Sequence, residues 1–504
     1  MANVLHRKNI AGETKINHLI YNELKHTLTT KDTDYIMTHI AGIDFNSLYP
    51  SSFSGVSHEF IKYTGGKMYM PGAVIDYIKC DFKEAKQYAM KIINENKFIE
   101  NPMLFTVELS GGIPRKYWNE FVNFPPIFRN INIKQDAETI GNYMYDYMVD
   151  KNIPNGKSVK KLTQVLEINS MVISSYYLWF LIDRCHFEIK DITEIVTYNS
   201  HTAFNTFVTE FMNLRQEAII NKNKGKDLFY KTYLNGSYGY DGMNTEKFNK
   251  LAIKTKEQTF KAQLSNEFQS TRKLCDEIEN ERVAKYQVCY DPKTYDCKTC
   301  LQESIFTLDN AKYWYLVFYY DFFVKAFDMD RIHVTHLDTD SCYFAIAGNP
   351  LLDSSQLFDY VINDQKFYDE NIYKFLPNPK IKTIADEKKL LGCCVEKTYT
   401  SLIALAPKCY SGFDVKDDKQ TIKMKGVDPR KNEMFFNTNL NVLDNMSVEK
   451  GIHTGLQMKS DGVYGKMVQV SLEKNALTAA HTKMYCFPNH SCATLISGCK
   501  YVME

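Results

Sequence analysis

Two acidic stretches, each set in an apolar and β-prone run, constrain this chain more than any other feature. The first reads Gly42-Ile43-Asp44-Phe45-Asn46-Ser47-Leu48-Tyr49-Pro50-Ser51, and the second, nearly three hundred residues later, reads His336-Leu337-Asp338-Thr339-Asp340-Ser341. The chain turns apolar from Ile36 to Phe45, which puts Asp44 near the end of a central strand. Ile332 to Leu337 and Cys342 to Ile346 are apolar strands around an acidic turn, so a β-hairpin carries carboxylates at its tip. Such carboxylates are hard oxygen ligands of the kind Mg2+ prefers. Two ions about 4 Å apart can hold the attacking and leaving oxygens of a phosphoryl transfer in line. Mg2+ is therefore the expected cofactor, with Mn2+ as the substitute. Asp44 and Asp338 are expected to bridge two ions, and Asp340 to add a supporting oxygen. An Asp-Thr-Asp turn alone is weak evidence, because acidic loop tips are common.

What lies between the two stretches strengthens the inference. Phe204, Phe207, Val208, Phe211, Leu214 and Ala218 recur at helical intervals, and a polar turn from Lys222 to Lys226 ends that helix. A second helix is expected to start near Asp227, as its cap, and to run until Gly239 and Gly242 break it. This makes a helical hairpin. On its second arm Lys231, Asn235 and Tyr238 share one face, at about +40° and −20° for the latter two relative to Lys231. That face suits a nucleotide, with Lys231 on the triphosphate, Asn235 near sugar or phosphate, and Tyr238 with Gly239 letting a base pair approach. The plainer alternative is an amphipathic helix with Lys in solvent and Tyr in the core. Antiparallel packing would set Arg215 level with Lys231, as a second cation for the triphosphate, ahead of Lys222, Lys224 and Lys226. Tyr49, five residues after Asp44, is placed to pack on a sugar and exclude a 2′-hydroxyl, or else is simply core. Ser47 and Leu48 offer backbone amides to phosphate.

The ordered set Asp44-x-x-Ser47-Leu48-Tyr49-Pro50, Lys231-x-x-x-Asn235-x-x-Tyr238-Gly239, Asp338-Thr339-Asp340-Ser341 and Lys408-x-Tyr410 resembles family B DNA polymerases, and within them the protein-primed branch of viruses, linear plasmids and self-synthesising mobile elements. The resemblance spans about residues 36 to 430. It implies an α+β right-hand architecture: palm with antiparallel sheet, helical-hairpin fingers, small thumb and two insertions. It implies a primer-terminus role for Lys408 and Tyr410, duplex contacts from Thr339, Ser341, Gly239, Lys425 and Gly426, and Mg2+ held by Asp44, Asp338 and Asp340. Its partners would be template-primer DNA, deoxynucleoside triphosphates and a terminal protein. The corresponding segments are 1–35 as an N-terminal remnant, 36–60 palm, 61–165 insertion, 166–200 palm, 201–244 fingers, 245–307 second insertion, 308–430 palm and 431–504 thumb. Gly236 stands where the family usually has Ser, and His336 where Tyr often precedes the acidic turn. Only 43 residues precede Asp44, too few for the family's 3′–5′ exonuclease domain, so proofreading is expected to be absent and the chain to be a fragment or truncated product. A catalytically silent DNA-binding remnant is the rival reading, and a two-metal nuclease the third.

Composition restricts the alternatives. With 44% hydrophobic and 24% charged residues the 504-residue chain is neither disordered nor low-complexity. Its net charge of +1 means that DNA binding must rest on local clusters such as Lys380 to Lys431. The most apolar window, Met171 to Ile182, is too short to cross a bilayer and reads as a buried helix, so no membrane partner is expected. Thirteen Cys without a framework, and no secretory segment, suggest reduced thiols and an intracellular location, with cytoplasm, nucleus and organelle all open. Cys275, Cys289, Cys297 and Cys300 offer four thiolates to zinc, but their irregular spacing favours free thiols.

Overall fold

The computed structural model describes residues 2–244, 250–275, 284–291, 299–460 and 465–503. The fold is α+β with several antiparallel sheets, and the chain divides into two compact units. The larger contains Met1–Ser237, Ile305–Lys450 and Asn475–Glu504.

A five-stranded sheet forms its centre, in the order Ala2–Val4, Ile332–Asp338, Ser341–Ile346, His39–Phe45 and Cys393–Tyr399. All of its neighbouring pairs are antiparallel. The three inner strands are buried almost throughout, which explains why they read as unbroken apolar runs instead of alternating ones. One face packs on an aromatic helix, with Phe45 against Tyr315 and Phe318 and with Phe344 stacked on Phe323. The other face closes a core of Val4, Ile16, Met37, Ile40, Tyr343 and Leu402. The residues before Asp44 are thus built into this sheet, since Ala2–Val4 borders the Asp338 strand.

The aromatic helix begins at Leu301, passes into a π-helical stretch at Val317–Phe323 and ends at Ala326. Its early turns bury polar groups that pattern reading assigns to solvent. Asp309 is buried because it accepts the Ser174 amide at 3.0 Å and Lys312 Nζ at 2.9 Å. The window Met171–Ile182 is not one helix. Strand Glu167–Ser174 pairs with Leu104–Gly112, and helix Ser175–Cys185 follows it. Met171, Val172 and Ile173 take their ladder partners from Leu109, Glu108 and Val107, and Ser175 Oγ accepts the Phe105 amide where the chain switches form. The same four-stranded sheet includes Glu188–His201 and Met70–Lys79, so the 61–165 and 166–200 segments share it.

The helical hairpin consists of Asn205–Ile220 and Lys224–Gly236. Its second arm starts earlier than Asp227, because Asn223 is the cap and accepts the Lys226 amide at 3.1 Å. Phe211 stacks on Tyr233 across the hairpin. Beyond the central sheet, Ser401–Ala406 and Cys409–Asp414 form a hairpin in a four-stranded sheet with Lys8–Ile10 and Lys419–Lys423. In the 431–504 segment, helix Phe436–Asp444 leads to paired strands Val448–Ser460 and Gly465–Thr478, and Lys500–Met503 pairs parallel with Thr27–Ile36.

The smaller unit contains Tyr238–Ser304 and Gly451–Lys474. The 245–307 segment holds a three-stranded sheet, Lys250–Thr255, Lys285–Tyr290 and Phe268–Cys275, with helix Lys256–Gln263 started by a Thr255/Gln258 capping box. Cys297 lies outside the described residues, Cys289 is buried and Cys300 is exposed. Among the described residues no helix is long and apolar enough to cross a membrane.

Candidate active site

Sheet register brings the two acidic stretches together. Asp44 and Asp338 both take Ser341 as their cross-strand partner, one on each side, so the three side chains share a face and the two Asp backbones stand about 10 Å apart. The turn between Asp338 and Ser341 is tight. Thr339 has φ +61°, and the Asp340 amide donates to the Asp338 carbonyl at 2.7 Å. The Phe45 amide donates to the Asp340 carbonyl at 2.8 Å, which ties Asp340 to the Asp44 strand. Thr339 Oγ1 donates to Asp338 Oδ1 and Ser341 Oγ to the Asp338 carbonyl, both at 3.3 Å.

The carboxylates have unequal surroundings. Burial, then the charges of Asp340 and Glu396, push the Asp44 carboxyl up to about 7, against the pull of Lys231 and Lys388. Asp340 is also raised, by burial and by Asp338, and Lys231 again opposes the shift. Asp338 is engaged elsewhere, with its Oδ1 at 3.2 Å from Lys408 Nζ. The three carboxylates do not form a cluster with all ligand oxygens within 4.8 Å of one another. Asp338, expected to share ions with Asp44, is held toward Lys408, and it is Asp340 that Asp44 feels most among its charged neighbours. Asp44 and Asp340 are both raised by burial and by neighbouring carboxylates, more than nearby lysines offset, and their oxygens are hard donors. The residues therefore fit a divalent cation such as Mg2+ or Mn2+.

Unlike the usual paired acid, a raised carboxyl weakens the fold as pH rises. Folded Asp44 binds its proton up to about 7 and the unfolded chain only to its ordinary 3.8, so stability falls between those values and stays lower above them. Asp44→Asn removes that loss. In chelator its melting temperature should exceed the parent's at pH 8 and match it below pH 4, as thermal unfolding at the two pH values would show.

The helical hairpin supplies a further cation. Lys231 is exposed on the Lys224–Gly236 helix, and its charge acts on both Asp44 and Asp340. Asn235 lies one turn further on, half-buried. Tyr238 and Gly239 form a 3-10 turn with Ser237 and fall in the smaller unit. Arg215, expected beside Lys231 as a second triphosphate cation, is instead 8% exposed and already engaged. Its Nε donates to Asp227 Oδ1 at 2.9 Å and its Nη1 to Ser47 Oγ at 3.3 Å. It braces the hairpin against the turn after Asp44, where Ser47 takes φ +46° and starts the short helix Leu48–Phe53. Leu48 is buried there and Tyr49 half-buried. That short helix packs on the Lys231 helix.

Lys408, at φ +61°, turns the hairpin between Ser401–Ala406 and Cys409–Asp414. Tyr410 is buried, its ring 4.8 Å from that of His336 and its hydroxyl 3.2 Å from that of Tyr343. The Tyr343 hydroxyl lies 3.1 Å from Glu396 Oε2. Lys425 and Gly426 occupy an exposed loop after Lys419–Lys423, and Gly426 has φ +92°, which suits glycine. Glu396, Tyr343 and Lys388 went unread in the sequence. Glu396 sits where the Cys393–Tyr399 strand slips register against the Asp44 strand, and its signal was an acid inside a β-prone run. Gly42, two residues before Asp44, leaves room for Tyr343, whose ring a Cβ would meet at 2.5 Å.

No family model and no curated protein matches the chain. Its neighbours among solved structures are DNA polymerase structures. It is similar to Phi29 DNA polymerase complexed with primer-template DNA and incoming nucleotide substrates (14% identity, TM-score 0.44, 93% of this chain and 64% of that one). It is similar also to the orthorhombic crystal form of Phi29 DNA polymerase (13% identity, TM-score 0.45, 94% and 64%). The chain thus spans less than two thirds of the length of those structures.

Proposed function

We propose that this chain is a DNA-directed DNA polymerase that adds deoxynucleotides to a 3′-hydroxyl opposite a template, with the five-stranded sheet as palm and the helical hairpin as fingers. One observation carries the reading: Asp44 and Asp340, two partly buried carboxyls of raised proton affinity, both lie within reach of the Lys231 charge. Asp44 and Asp340 would hold the divalent ion, which supplies Lewis acidity at the α-phosphate and acidifies the attacking hydroxyl. Lys231 meets the triphosphate as a point charge and balances the departing pyrophosphate, with Asn235 near the sugar. Arg215 positions the Ser47 turn, which presents the Ser47 and Leu48 amides. Asp338 orients Lys408, and the Tyr343 hydroxyl orients Tyr410, toward the primer terminus. Thr339, Ser341, Lys425 and Gly426 complete the DNA-facing set. A hydroxyl presented by a terminal protein would enter at the same place as a primer.

The test is extension of a primer-template by the purified chain with Mg2+ and four deoxynucleotides. Lengthening directed by the template supports the reading. A primer that is bound but unchanged, or shortened, overturns it. Tyr49→Val should lower discrimination against ribonucleotides by about tenfold to a hundredfold, because a ring is exchanged for space beside the sugar. Single-nucleotide incorporation with paired ribo- and deoxynucleotides measures this, and unchanged discrimination would remove Tyr49 from the sugar pocket.

A further inference from the structure

Behind the Asp338 strand, three potential ligands are sealed from solvent. His481, Cys486 and Cys492 are each at most 1% exposed, and their ligand atoms all lie within 4.8 Å of one another. Cys486 and Cys492 face each other in the short strand pair Tyr485–Cys486 and Cys492–Ala493, with their sulfurs 3.7 Å apart. His481 Nδ1 stands 3.4 Å from Cys486 Sγ. His481 Nε2 is buried without a hydrogen-bond partner among the described residues. We propose that His481, Cys486 and Cys492 form a zinc site, separate from the carboxylates and structural in role.

The distances agree with one ion between the three groups. Zn–S bonds of about 2.3 Å and Zn–N bonds of about 2.0 Å at tetrahedral angles separate two sulfurs by about 3.8 Å and a sulfur from a nitrogen by about 3.5 Å. Two thiolates and an imidazole are the donors that select zinc over Mg2+. The three side chains would fill three corners of a tetrahedron. Nδ1 is the ring nitrogen that faces the sulfurs and would be the ligand. Arg7 is buried beside this segment. Its amide donates to the His490 carbonyl at 2.9 Å, while the Cys492 amide donates to the Leu5 carbonyl at 2.8 Å.

Those hydrogen bonds define what the ion does. The His481–Ala493 segment is laced to Leu5–Arg7, which continues directly from the Ala2–Val4 strand bordering Asp338. A metal pin at this point fixes the outer strand of the sheet on which the acidic turn rests. The inference stands on these residues alone and holds whether or not the chain extends primers.

Elemental analysis of the full chain, grown with zinc and desalted through EDTA, should find about one zinc per chain. Replacement by Co2+ should give the intense thiolate-to-metal absorption of a tetrahedral site. Cys486→Ser and Cys492→Ser should lose both signals, and Cys300→Ser and Asp340→Asn should keep them. The spectrum of the unsubstituted chain needs no variant to fold. Background zinc with no cobalt band, zinc that survives in Cys486→Ser, or a Cys486–Cys492 disulfide found by mass spectrometry would each overturn the proposal.

Discussion

Asp340→Asn is expected to lower primer extension by at least about a thousandfold and to leave primer-template affinity within a few-fold of the parent. A divalent ion contributes several kcal/mol to a phosphoryl-transfer transition state, and each 1.4 kcal/mol is about a factor of ten. The Asn amide keeps the shape of the turn and its backbone bonds to Asp338 and Phe45 but removes the charge that Asp44 feels most. Asp338→Asn is expected to cost no more than about tenfold, because its salt bridge is to Lys408, which is more than half exposed. Single-turnover extension beside a gel-shift titration separates the two variants. If Asp338→Asn proves the more damaging, the ion lies between Asp44 and Asp338, as the motif spacing alone had suggested.

Lys231→Ala should reduce kcat/KM for the incoming nucleotide by about a hundredfold, the scale on which a single preorganised transition-state donor acts. Lys231→Arg should restore part of it, since charge returns but not the compact ammonium. The pH profile offers a second readout that a merely structural lysine would not move. Lys231 draws the Asp44 and Asp340 carboxyls down, so its removal lets both rise, and the acid limb of the rate profile moves to higher pH in Lys231→Ala. The arginine variant should leave the limb near the parent's. An unchanged KM together with an unmoved limb would take Lys231 out of the site.

The features that the amino-acid order made readable are those fixed by local pattern. The Asp44 strand, the acidic hairpin and both arms of the helical hairpin follow from apolar runs and helical spacing that no distant residue alters. What stayed hidden needed partners far along the chain. A helix-borne arginine reads as a surface cation until Asp227 and Ser47 close around Arg215. Which acid of the Asp338-Thr339-Asp340 turn meets Asp44 depends on the left-handed Thr339 and on the Phe45 amide, neither of which has a sequence signature. Glu396 reaches the site through a register slip, and periodicity does not show such slips. The strand-to-helix switch at Ser174–Ser175 falls inside one apolar run, where composition gives no boundary.

The absence of a side chain at Gly42 has a mechanical result. Tyr343 can lie flat across the strand that ends in Asp44, and its hydroxyl joins Tyr410 of one sheet to Glu396 of another. The supports of the proposed ion and of the proposed primer end are therefore linked. A displacement of either would be felt by its counterpart through a single aromatic ring.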